Sequence, residues 1–173
     1  FNTLQMGIVA GARVFKIMDS EEIIPNKGLI SKQKLDGNIR FENVGFAYDE
    51  ENFVITDLSF NLKQGETMAI VGSTGSGKST IINILNRFYD IQKGHIYVDD
   101  VDIKEYELKA LRRNIAIVLQ DVFLFEGTVM ENICLRDKNI DPTKVLQASM
   151  DIGAHEFIEK LPGGYDFVIS ERG

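Results

Sequence analysis

The chain has 173 residues, 44% hydrophobic and 26% charged, the balance of a folded domain with its own core rather than of a disordered segment. Its formal net charge is −7, from 26 Asp and Glu against 19 Lys and Arg. No basic excess exists to neutralise a nucleic-acid strand, and nucleic acid is excluded as the main partner. The single cysteine, Cys134, rules out an internal disulfide and a CxxC metal site; it reads as a small buried apolar residue in a reducing compartment. His95 and His155 stand apart from each other and read as structural or surface residues.

The sequence starts at Phe1 rather than Met and shows no signal-peptide order, so an internal piece of a longer polypeptide is expected. Residues 1–19 read as an amphipathic helix. Leu4, Ile8, Val9, Ala12, Phe15 and Ile17 are apolar, and Gln5, Arg13, Lys16 and Asp19 interrupt them. Such a helix is too interrupted to span a bilayer alone, which takes about 20 apolar residues. From this segment alone a helix packed on the domain is the better reading, and the cytoplasmic end of a longer transmembrane helix is the alternative. Residues 20–37 are polar and rich in turn formers (Glu21, Glu22, Pro25, Asn26, Gly28) and read as a linker. From 38 to 173 the chain reads as a folded domain. Strands are expected at 39–42, 54–62 and 95–98. The nearly all-apolar runs 67–71 and 115–119 read as buried parallel strands. Ile81, Ile84, Leu85 and Phe88 recur at helical spacing. Further helices are expected at 108–113, 129–135, 142–152 and 154–161, with Asp141-Pro142 as a helix start.

The strongest chemical signal is Gly72-Ser73-Thr74-Gly75-Ser76-Gly77-Lys78-Ser79, a phosphate-binding P-loop placed between an apolar run and a helical pattern. Gly72, Gly75 and Gly77 let the backbone turn sharply and approach a ligand. The N–H groups of the loop, including those of Ser73, Thr74 and Ser76, then point inward as an anion nest, and the helix that follows adds its positive end. Lys78 supplies a full charge to the β- and γ-phosphates of a nucleoside triphosphate. Ser79 supplies a hydroxyl to Mg²⁺, a hard ion that prefers oxygen. Thr80 can hydrogen-bond a further phosphate oxygen. The Asp99, Asp100 and Asp102 group reads as an exposed acidic turn rather than a metal site, because no loop wraps an ion there.

The P-loop has company. Phe46-Ala47-Tyr48, Leu58-Ser59-Phe60 and Gly65-Glu66 precede it. Gly94-His95-Ile96-Tyr97-Val98-Asp99, Leu111-Arg112-Arg113, Val118-Leu119-Gln120-Asp121 and Leu124-Phe125-Glu126-Gly127-Thr128-Val129-x-Glu131-Asn132-Ile133 follow. In this order and spacing, residues 39–173 resemble the nucleotide-binding domain of ABC transporters. The resemblance implies an α/β P-loop ATPase core with an antiparallel β subdomain and part of a helical subdomain. It implies ATP and Mg²⁺ as ligands. It gives Tyr48 the role of stacking on adenine, and Gln120 that of reaching Mg²⁺ or the attacking water, so that Ser79 and Gln120 are the metal candidates and Lys78 and Gln120 the catalytic ones. Phe123, Leu124 and Phe125 then face the transmembrane domain.

Under the same resemblance, residues 1–19 look like the tail of the last transmembrane helix of an exporter with fused domains. The expected partners are the transmembrane domain of the same polypeptide and a second ABC domain, as homodimer or heterodimer, that sandwiches ATP with this one. The place is the cell membrane, with this domain on the cytoplasmic side. Ser170-Glu171-Arg172-Gly173 resembles the loop before the family's signature motif. The signature, the apolar strand beside the P-loop strand, the catalytic Glu and the switch His would all follow it. These 173 residues are therefore expected to bind nucleotide and to be inactive as an ATPase alone. Asp100, Val122 and Glu126 depart from the family pattern, which has glycine, proline and a small residue there. Rival readings are a soluble ABC ATPase without a membrane domain, a degenerate ATP-binding subunit of a heterodimer, and a small-molecule kinase.

Overall fold

The computed structural model describes residues 2–19, 24, 26–49, 52–120 and 123–170. Readings that fall on Phe1, Glu21, Glu22, Pro25, Asp121, Val122 and residues 171–173 lie outside the described residues, as do the side chains of residues 2–4. The chain divides into two compact units, residues 1–117 and 118–173.

The first unit opens with α1 (Asn2–Met18) and is built on an antiparallel sheet of four strands, β1 (Ile39–Ala47), β2 (Phe53–Leu62), β3 (Lys93–Val98) and β4 (Val101–Asp102), in the order β2-β1-β3-β4. β1 is central. Phe41 lies opposite Phe60 on one side and Ile96 on the other, and the Phe41 and Phe60 rings stack at 4.4 Å. Its last four residues are buried without alternation, because the strand is bulged there. Gly94 makes the bulge possible: it has φ 75°, and a Cβ would lie 2.2 Å from the Glu42 carbonyl oxygen. The core of the unit joins Phe41, Val44, Phe46, Ile96 and Val98 of the sheet to Ile84 and Leu85 of α2 (Lys78–Leu85) and Leu111 of α3 (Leu108–Arg113).

Arg112 of the Leu111-Arg112-Arg113 motif closes α2. Its guanidinium donates to the Asn86 carbonyl at 3.0 Å and the Arg87 carbonyl at 2.7 Å, groups that the helix end leaves without partners. Phe88 lies beyond this stop rather than on the helix. α1 is not packed on the sheet. Met6, Ile8, Phe15 and Met18 are exposed.

Two expected strands fail to form. Residues 67–71 and 115–119 pair with no strand among the described residues, and Val71 and Val118 are 89% and 98% exposed. An apolar run becomes a strand only where another backbone offers it N–H and C=O groups, and no described residue offers them here.

The second unit packs α4 (Val129–Cys134), α5 (Pro142–Asp151) and α6 (His155–Glu159) around Val129, Cys134, Val145, Ile158 and Tyr165, so Cys134 is buried as expected. β5 (Gly127–Thr128) pairs with β6 (Val168–Ile169). The Gly-Thr-Val-x-Glu-Asn motif is explained here. Thr128 caps α4 by accepting from the Glu131 N–H, and Glu131 accepts from the Thr128 N–H in return. Asn132 binds both the N–H and the carbonyl of Phe125, fixing the preceding loop. Asp141 accepts from the Thr143 N–H at 2.9 Å and starts α5. His155 meets the Tyr165 hydroxyl at 3.0 Å, a structural contact.

Candidate functional site

The P-loop joins residues 67–71 to α2. Gly75 and Gly77 have φ 83° and 86°, in the left-handed region, and a Cβ on Gly72 would meet the Ser76 hydroxyl at 2.5 Å. Gly77 precedes α2 with no side-chain cap, so the first N–H groups of the helix are left for a ligand. Residues 72–76 are exposed while Gly77 is buried against β2. The loop thus has a solid base and an open mouth.

Lys78 folds back over the loop. Its Nζ donates to the Gly72 carbonyl at 2.9 Å and the Ser73 carbonyl at 2.7 Å. An ammonium has three donors, so two hold the side chain across the loop and a third remains for a ligand oxygen. Ser79, next in the helix, is exposed, and its hydroxyl is an oxygen donor of the kind a hard divalent ion takes.

Tyr48 follows β1 directly and is 52% exposed. Its hydroxyl lies 3.1 Å from the Thr80 hydroxyl and receives a bond from Asn83 Nδ2 at 3.5 Å. Thr80 is itself only 5% exposed. The residue expected to stack on a base is therefore tied to the helix that starts at the phosphate loop. Gln92 holds the strand end beneath it: its side chain accepts from the Ala47 N–H and donates to the Ala47 carbonyl, both at 3.0 Å. Sequence reading missed Asn83 and Gln92. The only signal for them was distance along the chain from the P-loop, one helical turn and its sequel, which singles out no residue.

The structure thus brings Tyr48, the loop residues Gly72 to Gly77, Lys78, Ser79 and Thr80 together in the first unit. Gln120 belongs to the second unit and is exposed. Among the described residues no group of three or more His, Cys, Asp or Glu side chains could hold an ion. His95 pairs with Asp102 at 2.8 Å on the surface of the sheet.

Residues 55–169 match the family model described as ABC transporter. The chain is 44% identical over 173 residues to a putative ABC transporter ATP-binding protein, exp8, of Streptococcus pneumoniae, covering 100% of this chain and 30% of that one. It is 40% identical over 173 residues to an ATP-dependent lipid A-core flippase of Chromohalobacter salexigens, covering 99% of this chain and 30% of the flippase. A solved bacterial Atm1-family ABC exporter with ATP bound is 33% identical, with a TM-score of 0.81 over 98% of this chain and 30% of the exporter. The chain spans about 30% of the length of these relatives. It has the α/β ABC ATPase fold and belongs to the ABC transporter family, as an ATP-binding domain.

Proposed function

We propose that the chain is the ATP-binding part of an ABC exporter and that its site is built on Tyr48 and on Gly72 to Thr80. The observation that carries the reading is the link from Tyr48 to α2: a base platform and a phosphate loop share one helix turn. Adenine stacks on the Tyr48 ring, which needs a flat π-face and no particular hydrogen-bond pattern. The α-, β- and γ-phosphates lie along the loop N–H groups and the start of α2. Lys78 exchanges a loop carbonyl for a β- or γ-phosphate oxygen, a charge-assisted bond. Ser79 would hold Mg²⁺ through its hydroxyl oxygen, and the ion would supply charge neutralisation at the phosphates. Gln120 is the residue to which the family pattern gives the metal and the attacking water.

In the whole protein, two such domains close on ATP and reopen after hydrolysis, and this motion drives a transmembrane domain between two states. The cargo leaves the cytoplasm, and the domain sits on the cytoplasmic side of the cell membrane. Residues 1–173 bind nucleotide and carry no water-polarising carboxylate assigned by the family pattern, so they are inactive alone. The names of the relatives, which include a lipid A-core flippase and an Atm1-family exporter, support export as the direction.

The test is MgATP affinity in the full-length protein. Lys78→Ala should weaken it at least about 10-fold, since a hydrogen bond to a charged group contributes about 1.5–3 kcal/mol. Equal affinity in mutant and parent would refute the phosphate site. Tyr48→Ala should weaken ATP binding too; a kinase with no base platform would be indifferent to it.

A further inference from the structure

Tyr89 has no role in the reading above, yet it meets the base platform directly. Its ring stands edge-on to that of Tyr48, with centroids 5.0 Å apart and planes at 90°. Phe46, 1% exposed, makes the same kind of contact with Tyr48 from the core side, at 4.9 Å and 85°, and touches Tyr89 at 5.7 Å. The three rings form one cluster with a buried foot and two open members, for Tyr89 is 43% exposed.

The segment that carries Tyr89 is held on every side. The Phe88 N–H bonds the Asn83 carbonyl at 2.9 Å. Arg87, 3% exposed, holds Asp90 at 3.2 Å and the Ile103 carbonyl at 3.3 Å. Arg112 grips the Arg87 carbonyl and lies over the Phe88 ring, 5.2 Å from its centroid. Gln92, three residues beyond Tyr89, is clamped to Ala47. Tyr89 is therefore a fixed wall beside a residue at the end of a strand.

We propose that Tyr89 is a positioning residue for the nucleotide base, acting through Tyr48. This rests on the reading of Tyr48 as the base platform. A half-exposed tyrosine at a strand end must give up side-chain freedom when a base covers it. Here the Tyr48 ring is already fixed at its hydroxyl by Thr80 and Asn83, and on its flank by Tyr89. The ring–ring contact is of the edge-to-face kind, which stabilises beyond the area it buries. Removing it frees the ring in the empty protein and leaves the phosphate loop as it was. A tyrosine that only filled the surface would affect nucleotide and bare polyphosphate alike, or neither.

The experiment compares MgATP with magnesium tripolyphosphate, which has the phosphates and no base, on the full-length protein. Tyr89→Leu keeps apolar bulk and removes the aromatic edge, so it guards against a variant that fails to fold. The expected result is a roughly 3- to 10-fold loss of ATP affinity in Tyr89→Leu and Tyr89→Ala, no change for tripolyphosphate, and parental ATP affinity in Tyr89→Phe. Unchanged ATP affinity in both variants, or equal losses for ATP and tripolyphosphate, overturns the proposal. Tyr48→Ala run in parallel separates the two readings. If it leaves ATP affinity unchanged, the base platform itself is wrong; if it weakens ATP while Tyr89→Leu does not, only the role of Tyr89 falls.

Discussion

Asp100 is the departure from the family pattern with the clearest physical consequence. It and Asp99 form the two-residue turn between β3 and β4, since Val98 pairs with Val101. Their φ values are 50° and 61°, both left-handed, as a tight hairpin with the right twist requires. Aspartate tolerates that region better than most side chains, but glycine is unstrained in it. Asp100 also lies 3.5 Å from Arg40, though with 92% of its side chain exposed the pair contributes little. Asp100→Gly removes about 1 kcal/mol of backbone strain and loses a few tenths from the ion pair and from the freer unfolded chain. A net stabilisation of about 0.5 kcal/mol is expected in urea unfolding. A lower midpoint would mean that the Arg40 contact outweighs the strain. Asp99, its neighbour, is different. Its carboxylate accepts from the N–H groups of Asp36, Gly37 and Asn38 at 2.7–3.0 Å, so replacing it removes bonds rather than strain.

Those bonds belong to an element that composition describes poorly. Residues 26–38 are irregular, as their turn formers imply, but they are hydrogen-bonded along the domain. Ile30 bridges Tyr106, donating to the Glu105 carbonyl and accepting from the Glu107 N–H. The Leu35 N–H bonds the Asn114 side chain, and the Asn26 side chain accepts from the Leu108 N–H. The partners are main-chain groups and amides far along the sequence, which no local pattern encodes. The same limit explains residues 67–71 and 115–119. Their apolar character was legible, but strand pairing is a property of two segments. By contrast β1, β2, β3, α3 and α5 were legible because alternation, helical spacing and caps are written locally. In the site, the P-loop was legible for the same reason, while Tyr89 and Gln92 act through contacts that only the fold creates.

The Asp99 tie yields a pH prediction at this scale. Partial burial raises its pKa, but the bonds from Asp36, Asn38 and Gly37 together outweigh that, and the carboxyl sits below its ordinary value. A depressed folded pKa contributes stability that is present above the unfolded value and lost as pH falls through the folded one. The amide protons of Asp36, Gly37 and Asn38 should therefore stay bonded through neutral pH and shift together only below the usual carboxylate range. Asp99→Asn should abolish that titration in NMR spectra. Persistence of the shift in Asp99→Asn would assign it to another acid.

At the scale of the whole molecule, α1 poses the open physical question of what its apolar residues face. Seventeen residues rise about 26 Å as a helix, short of a bilayer core of about 30 Å. Among the described residues no helix is long and apolar enough to cross a membrane. Yet Met6, Ile8, Phe15 and Met18 are open to solvent, which an isolated domain gains nothing by exposing. Arg13 and Lys16 lie toward the C-terminal end of the helix, where positive charge marks the cytoplasmic side of a membrane helix. Under the exporter proposal, α1 would continue a membrane helix and enter the cytoplasm near its basic end. The full-length protein should then stay in the membrane pellet after an alkaline carbonate wash. Placing a cysteine at Ile8 should give a thiol shielded from a charged, membrane-impermeant reagent in intact membranes, while one at Asp49 is modified once the cytoplasmic face is opened. Release of the protein by carbonate, with Ile8→Cys freely modified, would instead favour a soluble ABC ATPase whose α1 is covered by another protein.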